Sequence, residues 1–246
     1  LNAQPMGFYA PAQIVRDARE HGVEVRAVDI NDSDWDSTLE LIYGEDHALR
    51  LGLRQVSGMS EEEGRRIVEA RGNGYPTLAD VQRRARVSFK ALEALAAADC
   101  FRSIGLDRRT ALWEVRGLDK GAPLPLFDYV ESDAIGRDLD VKLPDMNLGE
   151  HVVADYQTLR LSLKAHPMAL LRSHFPKTLA AIDLLKARDG DIVELCGLIL
   201  VRQRPGTASG VIFITIEDET GVANLIVWPK VMEKFRPIVM AAPLLK

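Results

Sequence analysis

Between Leu53 and Ile67 the chain reads LRQVSGMSEEEGRRI, a spacing that could bind phosphate. An apolar segment, then Gly, an apolar residue and a small residue ahead of a fresh helix make a helix-hairpin-helix pattern. The hairpin Ser57, Gly58, Met59, Ser60 would aim backbone N–H groups outward at a helix start, where partial positive charge receives an anion. Gly58 lets the backbone turn and approach closely. Arg54, Arg65 and Arg66 could add contacts to phosphates, and such contacts hold a duplex without reading its sequence. Glu61, Glu62 and Glu63 crowd the same helix start and oppose an anion there.

Two further segments could touch nucleic acid. LAAADCFRSIGL, residues 95–106, reads as a degenerate second hairpin turning at Ala98–Cys100, flanked by Arg102, Arg108 and Arg109. Near the other end, Phe213 and Trp228 are strand aromatics on which bases could stack, and Arg202 and Arg204 lead into the loop between two strands. The same aromatics are equally expected as core. A third segment, PLPLF at 123–127, presents Leu126 and Phe127 in an extended, Pro-flanked setting suited to a hydrophobic groove on a partner protein.

Other groupings fail on their own chemistry. Asp29, Asn31, Ser33, Ser37 and Glu40 fall at five oxygen positions of a calcium loop. Asp34, however, stands where that loop needs Gly, and no helix precedes it. Asp138 and Asp140 sit in an acidic stretch with no strand to fix a metal, and the five histidines lack ligand spacing. Cys100 and Cys196 read as buried small hydrophobes in a reduced, cytoplasmic setting. The residues contain no phosphate-binding glycine loop and no catalytic constellation.

The elements that must hold these segments divide the 246 residues unevenly. With 47% hydrophobic and 27% charged residues, the chain has the balance of a folded globular protein, and no apolar run approaches a membrane span. The start at Leu1 suggests a piece of something longer. The net charge of −5 conceals alternation: residues 1–49 and 122–155 are acidic, and 50–121 and 156–189 are basic.

Residues 11–21 read as a helix, 23–28 as a short strand and 29–40 as a polar loop. Dense capping signals then predict four or five short helices over 46–117. Ser60 with Glu63, Thr77 with Asp80, Ser88 and Asp107 open helices, and Gly72 and Gly117 close them. Residues 118–150, with three prolines and many acids, read as a linker. Residues 151–174 are helical with a break at His166–Pro167. From 190 onward the pattern becomes strands over 192–201, 211–217 and 222–228, a helix over 229–236 and a fourth strand over 238–245. That order is the one of an oligonucleotide-binding barrel.

The fold class is therefore α+β: a helical region with tandem helix-hairpin-helix motifs, then a partial oligonucleotide-binding (OB-fold) barrel lacking its last strand.

Several long segments resemble one family. QPMGFYAPAQIVRDAREHGVEVRAVDIN (4–31), LRLGLRQVSGMSEEEGRRIVEAR (49–71), ALEALAAADCFRSIGLDRRTALWEV (91–115), DYQTLRLSLKAHPMALLR (155–172) and LILVRQRPGTASGVIFITIEDETGVANLIVWP (198–229) are similar to bacterial C-family (DnaE-type) DNA polymerases. RSIGLDRRTALW, SLKAHP and VRQRPGTASGV resemble the error-prone branch.

The resemblance implies a parent enzyme that adds deoxynucleotides to a primer in damage-tolerant, mutagenic synthesis, with palm aspartates and Mg²⁺ lying upstream of Leu1. It implies four segments: the end of the fingers at 1–48, the hairpin region at 49–120, an acidic linker with helices at 121–188, and the barrel at 189–246. It also implies no cofactor in this chain, no activity of the chain alone, and primer–template and single-stranded DNA as partners. PLPLF occupies the place of a clamp-binding peptide but carries Pro123 where that peptide has Gln. A sliding clamp is thus one implied partner, and accessory mutagenesis proteins are another. The rival readings are a non-enzymatic DNA-binding module, a protein-interaction platform of a repair assembly, and an RNA-binding barrel.

Overall fold

The computed structural model describes residues 1–7, 9–118, 143–206 and 210–246. They form two compact units, Leu1–Lys164 and Ala165–Lys246. The break thus falls among residues read as linker and helices. Leu126 and Phe127 lie outside the described residues.

Unit 1 opens with α1 (Pro11–Glu20), with proline in the first turn, where its missing N–H costs nothing. A three-stranded sheet follows in the order β1 (Val25–Arg26), β3 (Asp46–Arg50), β2 (Thr38–Tyr43), parallel between β1 and β3 and antiparallel between β2 and β3. This hairpin corrects two expectations, since the loop ends at 37 and residues 46–50 are strand. Gly44, at φ +61°, makes the tight turn. Glu40 fixes the sheet, accepting from Arg26 and Arg50 at 2.7 Å each. The Arg50 guanidinium outweighs burial and holds the Glu40 carboxyl below its ordinary value.

Four helices then pack around a core that includes Leu53, Ile67, Leu92, Leu95 and Phe101. They are α2 (Glu61–Ala70), α3 (Leu78–Ala85), α4 (Phe89–Ala97) and α5 (Arg108–Gly117). Each starts at the expected cap, where Ser60, Thr77, Ser88 and Asp107 accept from the backbone N–H three residues on. A further helix, α6 (Leu148–Leu159), returns to this core.

The oxygen-rich loop is a brace. Asp29 accepts from the N–H groups of Asn31 (2.8 Å) and Ser103 (3.0 Å), and Asn31 bonds the backbone of Tyr75. Its carboxylate and amide are thereby occupied by the protein, and they tie the loop to distant turns.

Unit 2 holds α7 (Pro167–Leu171) and a curled antiparallel sheet. The strands β4 (Gly197–Gln203), β5 (Ile212–Asp218) and β6 (Gly221–Val227) meander, and β7 (Leu244–Leu245) returns beside β4. Ile212, Ile214 and Ile216 face inward with Ala223, and α8 (Pro229–Ala241) covers them with Met232 and Val239. The α+β class, with a hairpin region and an OB-like half-barrel, stands as read.

Two boundaries shift. The first barrel strand begins at Gly197, whose Cα lies so close to Glu217 that a Cβ would meet its carbonyl oxygen at 2.8 Å. The fourth strand shrinks to two residues, because α8 kinks at Phe235 before Pro237 and continues to Ala241.

Arg172 links the turn after α7 to the sheet, donating to Glu219 at 2.7 Å and to Asp218 at 2.7 Å. The Arg172 guanidinium, against the opposing effect of burial, keeps the Glu219 carboxyl below its ordinary value of 4.5. A carboxylate depressed in the folded state stabilises above its unfolded pKa and loses that contribution as pH falls through the folded one. Unit 2 is therefore expected to lose stability as pH drops below 4.5 toward the lowered value. Urea titrations at stepped pH, monitored at Trp228, check this. Glu219→Gln should flatten the slope, and an unchanged slope would remove Glu219 as its source.

Candidate nucleic-acid interface

The first hairpin is built as its spacing requires. Leu53–Gln55 make one turn of 3₁₀ helix, the chain reverses at Ser57–Gly58, and Ser60 caps α2. Gly58 has φ +90° with open space where a side chain would stand. Met59 is half-buried against the core and donates its N–H to Val56 at 3.2 Å. The Ser57 N–H is taken by the Thr158 carbonyl of α6 at 2.7 Å.

Among the described residues, no protein acceptor is recorded for the N–H groups of Gly58 and Ser60. Helix geometry leaves those of Glu61 and Glu62 without intrahelical partners. These amides cluster at the positive end of α2.

The charges around the hairpin are paired. Arg54 bonds Asp36, Arg65 bonds Glu61 at 2.6 Å, and Arg66 bonds Glu62 at 2.8 Å. Exposed pairs of this kind are worth about 0–1 kcal/mol, so an incoming phosphate can replace the acid partner. Glu63 points elsewhere, accepting from the Ser88 N–H at 2.8 Å and so fixing α2 to the start of α4. The Ser88 and Ser60 hydrogen bonds overcome burial and hold the Glu63 carboxyl below its ordinary value.

The second hairpin has a different character. The turn at Ala98–Cys100 places Asp99 at φ +64°, in the left-handed region where the first hairpin carries Gly58. Its carboxylate is buried and takes Arg102 at 2.8 Å and Lys164 at 3.2 Å. Cys100 is fully buried, and burial pushes its thiol well up, which leaves it unreactive.

Arg108 is only 2% exposed. Expected at the surface, it instead turns from the first position of α5 onto α6, bonding the Asp155 carboxylate and the His151 carbonyl. A guanidinium so enclosed is not available to a phosphate. Arg109 donates to the Pro144 carbonyl at 2.6 Å and to Glu150 at 3.1 Å. The second hairpin thus clamps α6. Arg102 is its exposed cation, beside a cavity of about 290 Å³ lined also by Asp107, Asp145, Met146 and His151.

In unit 2, Phe213 pairs with Ile226 across β5 and β6, and Trp228 follows two residues on along the same face. Phe213 is 40% exposed and Trp228 62%, so both stand on the outer face of the sheet. Arg202 is a strut, donating to the carbonyls of Val239 and Ala242 at the end of α8. Arg204 is exposed. The structure brings together Arg54, Ser57, Gly58, Met59, Ser60, Arg65 and Arg66 in unit 1, and Phe213 and Trp228 in unit 2.

Sequence reasoning missed two cations, Arg86 and Arg160. Both are exposed, and both have positive φ, +50° and +61°. Among the described residues no hydrogen bond or ion pair is recorded for either guanidinium. Nothing in RRARVSF or TLRLSL marks such residues, because their state depends on where two helices end.

A hairpin with outward amides ahead of a capped helix has the form of a helix-hairpin-helix. The sequence agrees, since a family model described as "Helix-hairpin-helix motif" matches residues 22–111. Over its whole length the chain is similar to part of the error-prone DNA polymerases. It is 55% identical to the "Error-prone DNA polymerase" of Ruegeria pomeroyi, covering 100% of this chain and 22% of that protein. The corresponding proteins of Sinorhizobium medicae and Brucella abortus are 50% and 49% identical, again over all of this chain and over 24% and 23% of theirs. The chain thus spans about a quarter of the length of these curated relatives. The resemblance to the error-prone branch holds from end to end.

No helix among the described residues is long and apolar enough to cross a membrane. Among those residues, no group of three or more His, Cys, Asp and Glu side chains is placed to hold a metal ion.

Proposed function

We propose that this chain is the DNA-gripping portion of an error-prone DNA polymerase used in cytoplasmic, damage-tolerant synthesis. In this reading the amides of Gly58, Ser60, Glu61 and Glu62 receive a duplex phosphate, and the outer face of β5 and β6 stacks unpaired template bases on Phe213 and Trp228. Nucleotide addition and its Mg²⁺ belong to palm carboxylates outside these residues, so the chain holds primer–template DNA without extending it. Contact with a sliding clamp or accessory mutagenesis proteins is assigned to Leu126 and Phe127.

The observation that carries this reading is the first hairpin, with Gly58 at φ +90° and, among the described residues, open space at its side-chain position and no acceptor recorded for its amide. Backbone N–H groups arranged this way at a helix start form an anion site. The test is fluorescence anisotropy of the 246-residue chain with duplex, primer–template and single-stranded DNA over a salt series. Affinity should fall with salt and be strongest for primer–template DNA. Trp228→Ala should cost single-strand binding about 1–3 kcal/mol, the worth of one stacked base, and leave duplex binding intact. Absence of binding to all three at low salt would leave the interaction-platform reading in its place.

A further inference from the structure

The arginines nearest the first hairpin on its own element are paired with acids, whereas among the described residues two from other elements have no recorded acid partner. Arg160 follows α6 and lies two residues beyond Thr158, whose carbonyl holds the Ser57 N–H at 2.7 Å. Two residues span about 7 Å of backbone at most, a length that an arginine side chain can cover. Arg86 follows α3 and lies two residues before Ser88, whose N–H is held by Glu63 of the hairpin helix at 2.8 Å. Each cation thus lies two residues from one hydrogen bond to the hairpin region, Arg160 from the backbone bond of Ser57 to Thr158 and Arg86 from the bond of the Ser88 N–H to the Glu63 carboxylate.

Their conformation sharpens the argument. Both occupy left-handed backbone at a helix end, where glycine fits without strain. The chain uses glycine in that conformation after α1, at Gly22, and after α2, at Gly72. At the ends of α3 and α6 it keeps arginine, exposed and, among the described residues, without a recorded acid partner. Folding alone would favour glycine there, so the retained side chain points to contact with something outside the fold. The seat of α6 is firm as well, since the buried Arg108–Asp155 pair pins it.

We infer that Arg86 and Arg160 bracket the first hairpin and contact the duplex phosphates on either side of the one held by its amides. This rests on the hairpin's reading as a duplex site. Arg65 and Arg66 then contribute less, because each must first release its glutamate.

The test compares Arg86→Gly, Arg160→Gly and the double variant with the unaltered chain, by duplex anisotropy over a salt series and by thermal melting. Each single glycine variant should keep or raise Tm, because it relieves positive φ. Each should also weaken duplex binding about three- to tenfold and lower the salt slope by about one, and the double variant by about two. A merely structural role would move Tm with affinity, whereas here the two move apart. A double variant that binds with unaltered affinity and slope would overturn the inference, and loss in one single variant alone would overturn the assignment of the other residue. Gly58→Val separates the two levels. If it weakens binding while the double variant does not, the bracket fails and the hairpin stands. If the unaltered chain binds no duplex at low salt, the hairpin reading falls and the bracket with it.

Discussion

Replacing Asp155 by alanine is expected to remove about 3–5 kcal/mol from the stability of unit 1, the usual cost of breaking a buried ion pair from one side. Asp155 and Arg108 are both about 97% buried by side chain, and their contact is direct. Asp155 also accepts from Ser162 at 2.7 Å and from Lys164 at 3.2 Å. Without it, Arg108 keeps the His151 carbonyl at 3.2 Å but loses its counter-charge. Arg108 cannot swing into water from that position. Lys164, half-exposed, can do so.

The cost is thus dominated by one stranded guanidinium, and it should largely vanish when both partners are replaced by apolar residues of similar size. Urea denaturation of Asp155→Ala, and of Asp155→Leu combined with Arg108→Met, checks this. A loss under about 1 kcal/mol in the single variant would mean that water reaches Arg108, as at a surface pair. For contrast, Glu61→Ala on the exposed face of α2 should change stability by less than about 0.5 kcal/mol.

The same pair shows where sequence reading reached its limit. The caps at Ser60, Thr77, Ser88 and Asp107 were legible because a cap is a local event, settled within four residues. The meander of β4, β5 and β6 was legible because alternation and turn residues are local too. Arg108 was not, since an arginine at a helix start reads as a surface cation until the helix facing it is known. That helix, α6, begins forty residues later at Leu148, inside the 118–150 segment read as linker. The β2–β3 hairpin was hidden for a related reason. Its strand carries Glu40 at a half-buried position, and only the pairing with Arg26 and Arg50 makes that tolerable. Arg86 and Arg160 were hidden because a positive φ on a non-glycine residue leaves no mark in composition.

The largest functional effect is expected from Gly58→Val. The left-handed backbone at φ +90° is costly for any L residue and most of all for a β-branched one. Among the described residues, apart from its two chain neighbours, nothing lies within 4 Å of the place where its Cβ would stand. The strain is therefore confined to the turn, and the core around Leu53 and Ile67 should persist.

The valine would either displace the turn or remain and occupy the approach to the amides of Gly58 and Ser60. In either case, two hydrogen bonds to a charged phosphate are lost or misaligned. At about 1.5 kcal/mol or more each, their loss lowers duplex affinity on the order of 100-fold. Gly58→Ala should fall between the two, because alanine tolerates the left-handed region better than valine does. Single-strand binding at Phe213 and Trp228 uses no atom of this turn and should be unchanged. The measurement is duplex and single-strand anisotropy on the same preparations, with circular dichroism to show that the helices remain. Duplex affinity within a factor of two of the unaltered chain would mean that the phosphate is held elsewhere and that the hairpin is only a capped helical turn.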